Sequence, residues 1–592
     1  MEPRKPLSSK PTPPSGSTST ATKSNPNKTA ENEPVPEERA MTRKTRAVQI
    51  LVAALYIAGC AAAETKRPNV VFIMLDDLGY SQIEAYARGL GVADCDPKLL
   101  DRVAQKGNYT PEQAFEMVRK ASPTLSRMAD GGVRFNNAFA CSNLCAPARI
   151  GIATGILQNR WGIYRNIDTE EHGFKPHSHL AEKLQERGYA TAHIGKWHMG
   201  SRDDDMVRRY LEKHGIEDGE DLTYWTLGKK YPQIRKELRL DGYEGSVVPK
   251  DHPLNNGFDY YFGYNQWESP FYKASNVWED FSPVGIIKEY NTDVFTDKAL
   301  AFMQKSMDDG KPFYVQLHYH AVHAPLEPKA PEKYFKRFDT GIYNLDNFYA
   351  HVFGVDENVG KIEAFLAEKG AGQNTLFVFT SDNGGAVGVK SCLPGNAPYA
   401  GHKGMMMLGG YRTPLFFYWP GKISAPLVKN QLVSTLDILP TIVDAAGGEL
   451  PEGIDGKSLL PQILHNDDAR VHDHLVVGGI HARVWAFHAA TSFFTHNVSR
   501  EKAPSGYVVA DDQYILRYVS ETIPNLYKDA VEGIPAYYAL YDYQKDPGER
   551  SNLVDQLPEK VEQLKAIWKS ESKAFPKPAA WDVAKWKAMM DG

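Results

Sequence analysis

Cys145 and Arg149 stand one helical turn apart in Cys145-Ala146-Pro147-Ala148-Arg149, and Pro147 favours the first turn of a helix. A nucleophile at a helix N-terminus with a guanidinium on the same face makes a site for a tetrahedral anion. Taken alone, such a cysteine is ordinarily small buried packing. Hard oxygen ligands stand in two other places, Asp76-Asp77 and Asp382-Asn383. That set suits Ca²⁺ or Mg²⁺ and fits Zn²⁺ poorly, because neither a His nor a thiolate belongs to it. An Asp-Asp pair at a strand end also serves as a helix cap or a solvated turn.

The segments before these residues explain how they could meet. Asn69 to Leu75 is a continuous apolar run that stops at Asp76-Asp77, as expected of a strand buried on both faces. Tyr189 to Ile194 precedes Gly195-Lys196-Trp197-His198, and Phe313 to Leu317 precedes His318 and His323. Leu376 to Thr380 precedes Ser381-Asp382-Asn383-Gly384-Gly385. Helix-like stretches, among them His179 to Arg187 and Val355 to Glu368, lie between the runs. Strands alternating with helices predict an α/β fold, a large mixed, mostly parallel sheet sandwiched by helices. In such sheets ligands bind beyond the carboxyl ends of the strands, where all of these polar clusters fall.

From about residue 470 the pattern changes. Val476–Ile480, Val484–Ala490, Tyr514–Tyr518 and Tyr538–Tyr543 read as short strands, and Pro558 to Ser570 as an amphipathic helix with Val561, Leu564 and Ile567 on one side. These predict a smaller C-terminal antiparallel sheet with a helix. Residues 84–122 and 201–250 read as charged, partly helical insertions that shape the rim of the cleft.

Cys145-x-Pro147-x-Arg149, followed after four residues by Thr154-Gly155, resembles the signature of the type I, formylglycine-dependent sulfatases of the alkaline phosphatase-like superfamily. Gly195-Lys196-Trp197-His198-Met199-Gly200 matches that family's G-K-W-H-x-G. Gly401-His402-Lys403-Gly404 with Gly409-Gly410-Tyr411-Arg412-Thr413-Pro414 resembles G-x-K-G and E-G-G-x-R-x-P, Leu408 standing where Glu is common. His323 matches the His of Pro-His-x-Pro, with Val322 in place of the Pro; His318 and His320 are the other candidates. Weaker matches, such as Asp437 to Thr441 and Asp546-Pro547-Gly548-Glu549, carry the likeness through roughly residues 67–555 outside the insertions.

The resemblance implies that Cys145 is oxidised to formylglycine before folding and that its hydrated aldehyde is the nucleophile. It implies one divalent cation, usually calcium with Mg²⁺ as the alternative, held by Asp76, Asp77, Asp382, Asn383 and residue 145. Lys196 and Lys403 would contact the sulfate, and with Arg149 and the cation they would offset the charge that gathers on the leaving alcohol oxygen. His323 or Lys403 would protonate that oxygen, and His198 would take a proton from the second hydroxyl of the diol. The expected reaction is hydrolysis of a sulfate monoester, from a sulfated small molecule or polysaccharide. Trp225, Trp267 and Tyr264 are candidates for stacking on a sugar, and each also reads as core or rim packing. Two rivals remain open: a phosphonate or phosphate monoester hydrolase of the same superfamily, which often carries His where Asn383 stands, and an exported binding protein on this scaffold.

A hydrophobic content of 42% with 24% charged residues is that of a globular protein, and 592 residues suit one large domain and a smaller one. Sulfatase domain 64–470 and C-terminal α+β subdomain 471–592 are the expected boundaries. The net charge of −5 gives no reason to expect nucleic-acid binding, so a polyanionic substrate must be held by local basic residues. Residues 1–40 are too poor in large apolar side chains to order themselves. Residues 41–63 resemble a secretory signal peptide, with Met41 as the start, Arg43, Lys44 and Arg46, and an apolar run too short to span a bilayer comfortably. Cleavage after Ala61-Ala62-Ala63 competes with a lipobox-like Ile57-Ala58-Gly59-Cys60, in which Cys60 would carry a lipid anchor, the sole expected membrane contact. Either reading places the protein outside the cytoplasm, periplasmic or extracellular, with a formylglycine-generating maturation enzyme as a partner.

Overall fold

Val70 to Leu75 are all buried because the strand Asn69–Leu75 lies in the interior of a ten-stranded sheet with packing on both faces. The computed structural model describes residues 67–173, 177–217, 222–266, 269–386, 392–424, 426–480, 505–519 and 535–577. Around the central strand run parallel Thr375–Ser381 on one side and Phe313–His318 on the other, then Ala190–Lys196 and Tyr260–Tyr264. Met74 is level with both His318 and Thr380, so the strands that end in polar residues end together. Leu415–Tyr418 runs antiparallel between Thr375–Ser381 and Val133–Phe135, and the short strand Leu427–Lys429 closes that edge. The hairpin Trp278–Glu279 and Ser282–Pro283 closes the other.

Alternation along the central strand divides the core. Val71, Ile73 and Leu75 pack with residues of the helices Asn291–Asp308 and Tyr343–Glu368, including Phe295, Phe348 and Val355. Val70, Phe72 and Met74 face the other way, toward Ile150 and Ile152 of the helix Cys145–Thr154 and Ile442 of the helix Ile438–Ala445. This is the α/β sandwich that the apolar runs predict.

The smaller sheet is antiparallel, in the order Leu475–Ile480, Ser505–Ala510, Tyr514–Val519, Tyr537–Asp542. The helix Pro558–Glu571 covers it, and Trp568 stacks on Tyr507 with ring centroids 4.0 Å apart. The expected strand Val484–Ala490 lies outside the described residues, as do residues 1–66 with Cys60 and the signal-like segment, and Trp267. Among the described residues no helix is long and apolar enough to cross a membrane.

The 201–250 insertion forms the helices Asp205–Lys213, Tyr224–Lys230 and Pro232–Leu240 around a small core of its own, including Tyr210, Leu227 and Leu238. Just past its end, Asp251 O accepts from Trp197 Nε1 at 3.0 Å, which ties it to the loop carrying His198. In the 84–122 insertion the helices Pro97–Lys106 and Pro111–Ala121 join the main core, and Asp96 accepts from Gly401 N at 3.2 Å beside Lys403.

Candidate active site

The two acidic turns are knitted together at the ends of adjacent strands. Asp76 N donates to Ala321 O at 3.1 Å, Asp77 N to Asp382 Oδ1 at 3.2 Å, and Leu78 N to Ser381 Oγ at 3.0 Å. Asp77 turns through the left-handed region at φ 62, and so does His198 at φ 53. Non-glycine residues hold such conformations where the surroundings over-determine them, and they cluster at functional sites. Gly195, at φ 105, has no such freedom to grow a side chain, since a Cβ there would meet His318 O at 1.9 Å. Its strand can therefore lie close enough to bring Lys196 and His198 to the same rim.

Cys145 opens the helix Cys145–Thr154 and is 1% exposed. Arg149, one turn on, is fully enclosed: Nε and Nη2 donate to Asp382 Oδ2 at 3.1 and 2.9 Å, and Nη1 to Lys196 O at 2.9 Å. Nη1 also lies 3.3 Å from His318 Nδ1, which must accept there because a guanidinium only donates. Lys196 Nζ donates to Asp76 Oδ2, and Lys403 Nζ pairs with Asp77 Oδ1 at 2.7 Å. Asn383 Nδ2 donates to the same Asp77 oxygen at 2.9 Å. Ligand atoms of Asp76, Asp77, Cys145 and His323 all lie within 4.8 Å of one another. Asp76 Oδ1 and Asn383 Oδ1 are buried without a hydrogen-bond partner among the described residues. Unpaired buried oxygens beside carboxylates fit a hard divalent cation.

The electrostatics follow from this packing. Burial would raise the Asp76 carboxyl, but Lys196, His323, Arg149 and Lys403 outweigh it and hold it well below the ordinary range. Burial dominates at Asp77, whose pKa is raised, and at Asp382, pushed up to about 6 with Asp76 beside it. Burial, then Lys196 and Arg149, drive His198 well below the usual imidazole value, and its Nδ1 has no hydrogen-bond partner among the described residues. Burial pushes the Cys145 thiol up to about 12 in spite of Lys403 and Lys196. Since the thiolate is the nucleophile, an unmodified Cys145 is a poor one at neutral pH.

The structure thus brings together Asp76, Asp77, Cys145, Arg149, Lys196, His198, His323, Lys403, Asp382 and Asn383, and the tight group of ligand atoms contains His323 where the sequence predicts Asp382. Two details were not legible. Asp382 turns one oxygen to Arg149 and the other to the amides of Asp77 and Asn383. His318, one of the alternative histidines, sits against Arg149 instead of facing the carboxylates, and His320 bonds to Tyr264 at 2.9 Å. Tyr264 is fully buried, so it is core packing and cannot stack on a sugar. Trp225 lies on the helix Tyr224–Lys230, its side chain outside the described residues. Cys141 is buried, its Sγ 3.5 Å from Ala148 O, as expected of packing.

A sheet of this order with polar strand ends defines an alkaline phosphatase-like fold, and solved structures share it. The crystal structure of Ps i-CgsB in complex with k-i-k-neocarrahexaose matches with a TM-score of 0.61 at 20% identity, over 88% of this chain and 97% of that one. The structure of BT4656 in complex with D-glucosamine-2-N,6-O-disulfate matches with a TM-score of 0.54 at 19% identity, over 86% and 98%. The sulfatase family model matches residues 68–448, and the model for the C-terminal part of N-sulphoglucosamine sulphohydrolase matches 401–573. The uncharacterized sulfatase YdeN of Escherichia coli (strain K12) is 32% identical over 413 residues, 69% of this chain and 68% of the relative. Mouse N-acetylgalactosamine-6-sulfatase is 28% identical over 457 residues, 72% and 71%. The chain belongs to the sulfatase family and is an enzyme that hydrolyses sulfate esters.

Proposed function

We propose that this sulfatase removes sulfate from a sulfated carbohydrate, with residue 145 acting as formylglycine beside one Ca²⁺ or Mg²⁺. The observation that carries the reading is the cluster of Asp76, Asp77, Cys145 and His323 ligand atoms within 4.8 Å, flanked by Lys196, Lys403 and Arg149. Asp76, Asp77, Asp382, Asn383 and residue 145 would hold the cation, which supplies positive charge beside the reacting oxygens. As formylglycine, residue 145 would offer a hydrated aldehyde, one hydroxyl for attack and a second to be deprotonated.

The chain's own residues then have defined tasks. Lys196, Lys403 and Arg149 present fixed positive charge to the sulfate in a site that excludes water, an arrangement that can contribute several kcal/mol. His198, whose pKa is held well below the usual imidazole value and whose Nδ1 has no partner among the described residues, accepts a proton from residue 145. His323 reaches Asp77 Oδ2 at 3.5 Å and is 14% exposed, whereas Lys403 is 3% exposed. His323 therefore stands nearer the opening and is the better placed of the two to protonate the departing alcohol.

A carbohydrate substrate is supported by the sugar-named relatives, N-acetylgalactosamine-6-sulfatase and the disulfated glucosamine complex of BT4656. Export, by a signal peptide over residues 41–63, and maturation by a formylglycine-generating enzyme complete the reading, with a lipid anchor at Cys60 as the alternative to free release. The catalytic unit would span 64–470 and the C-terminal unit 471–592. A panel of sulfated sugars, sulfated polysaccharides, aryl sulfates and phosphate esters tests it, with protein made alongside the maturation enzyme. Sulfate release from a sugar is expected. Turnover of aryl sulfates alone removes the carbohydrate proposal, and phosphate turnover favours the related hydrolases. No turnover with the aldehyde confirmed leaves a binding protein.

A further inference from the structure

The loop that carries Lys403 is gripped from the C-terminal sheet. Gly479 and Gly506 face each other across neighbouring antiparallel strands, and with no side chain on either they leave a notch in the sheet. Met406 fills it: a Cβ on Gly506 would lie 2.8 Å from Met406 Sδ, and one on Gly479 would lie 3.5 Å from its Cε. From the next strand Arg517 donates Nη1 to Met406 O at 3.0 Å and to Glu549 Oε2 at 2.8 Å. The other Glu549 oxygen accepts from Leu408 N at 3.3 Å. This ion pair is buried, with side chains 6% and 1% exposed.

The opposite side of the same loop belongs to the active site. Lys403 N donates to Gly385 O at 3.1 Å, Gly404 N to Asn143 O at 2.9 Å, and Gly384 N to Gly410 O at 3.0 Å. The loop is thus bonded to the Asp382-Asn383 turn and to the approach to Cys145 on one side, and plugged into the C-terminal sheet on the other. A buried ion pair is weak evidence for stability, since apolar residues of similar volume often serve as well. This one holds two main-chain groups of the loop, Met406 O and Leu408 N, while Arg517 Nη2 is anchored to the Tyr541 hydroxyl at 3.2 Å, which fixes geometry.

We propose that Arg517 and Glu549 are positioning residues for Lys403, with Met406 as the pin that sets the loop's register. The C-terminal sheet then completes the active site without touching substrate. The proposal rests on Lys403 acting at the sulfate.

The test uses full-length matured protein carrying Arg517→Met, Glu549→Gln or Met406→Ala, with Met406→Leu as the conservative partner and Arg517→Lys should Arg517→Met not fold. Two readouts are taken: hydrogen exchange of the 401–412 segment, and kcat and KM on a chromogenic aryl sulfate or, failing turnover, on the best substrate of the panel above. Faster exchange confined to that segment is expected, with kcat down about tenfold or more, KM changed less, and Met406→Leu near wild type. Placed on Lys403→Ala, Arg517→Met should add little, because residues that act through one group are not additive. Unchanged exchange with unchanged kcat overturns the grip. An equal loss in the Lys403→Ala background overturns the action through Lys403. Full activity of Lys403→Ala alone shows instead that the reading of Lys403 itself is wrong, a failure the exchange measurement tells apart from loss of the grip.

Discussion

Arg149 places both Nε and Nη2 on one oxygen of Asp382, at 3.1 and 2.9 Å, in a pair from which water is excluded. The same guanidinium donates to Lys196 O and faces His318, so it locks the ends of three strands around the helix that begins with Cys145. Removing it leaves the buried Asp382 without its guanidinium partner, with the amides of Asp77 and Asn383 on its other oxygen. Arg149→Met is expected to destabilise the protein by about 3–5 kcal/mol. Arg149→Lys keeps the charge and loses the planar fork, so it should lower kcat/KM by about 10² or more while losing less stability. Thermal unfolding beside steady-state kinetics separates the two effects.

Cys145→Ala should abolish turnover while leaving the fold, since the side chain is small and buried. Peptide mass spectrometry of wild type made with the maturation enzyme should show the aldehyde at residue 145, and protein made without that enzyme should keep the thiol and be inactive. Full activity of protein shown to hold only the thiol would sink the mechanism.

Chelation is expected to inactivate the enzyme and added Ca²⁺ to restore it. Because the ion binds the folded site, saturating Ca²⁺ should also raise the unfolding midpoint of chelated protein, by the equivalent of about 2.7 kcal/mol at a hundredfold excess over Kd. Asp76→Asn should remove most of that rise, and an unaltered calcium response in that variant would exclude Asp76 as a ligand.

His198→Ala should lower kcat by about 10² to 10⁴-fold with the aldehyde still formed. As burial and the neighbouring cations hold His198 well below the ordinary imidazole pKa, the acid limb of the wild-type kcat profile should lie below the usual histidine range. A limb near neutrality that vanishes in His198→Ala would contradict this.

Asp356, on the helix Tyr343–Glu368 and not among the candidate site residues, gives a separate stability test. Its carboxylate accepts from Thr124 N at 3.0 Å and Leu125 N at 2.8 Å, capping the helix Pro123–Gly131, and burial raises its pKa from 3.8 to about 6. The folded state therefore binds this proton more tightly than the unfolded state, and the contribution to stability falls as pH rises from about 4 to about 6. Relative to Asp356→Asn, wild type should lose stability across that window, which denaturant midpoints at several pH values would read.

Much of the site was legible because its strands are buried on both faces and so read as apolar runs that stop at polar residues. Asp76, Lys196 and Asp382 sit where those runs end. The antiparallel strands Val133–Phe135 and Leu415–Tyr418 are not legible in the sequence, since at three and four residues they carry no periodicity and owe their pairing to neighbours far along the chain. The glycine pair at 479 and 506 gave no signal either, because its meaning lies in the cross-strand register. Leu408 stood out as a departure from the family pattern, but only the fold shows that Glu549 reaches its amide.

Asp77 N and the Asp382 carboxylate that it meets are 305 residues apart in the chain. Non-local parallel pairing of this kind is slow to form, so the pocket is expected to close late in folding. Residue 145, nearly sealed once it closes, would then be open to a modifying enzyme only before that closure. The fraction of active molecules would be set by a race between oxidation and closure, and changes that hasten folding could lower the yield of active enzyme without touching the site.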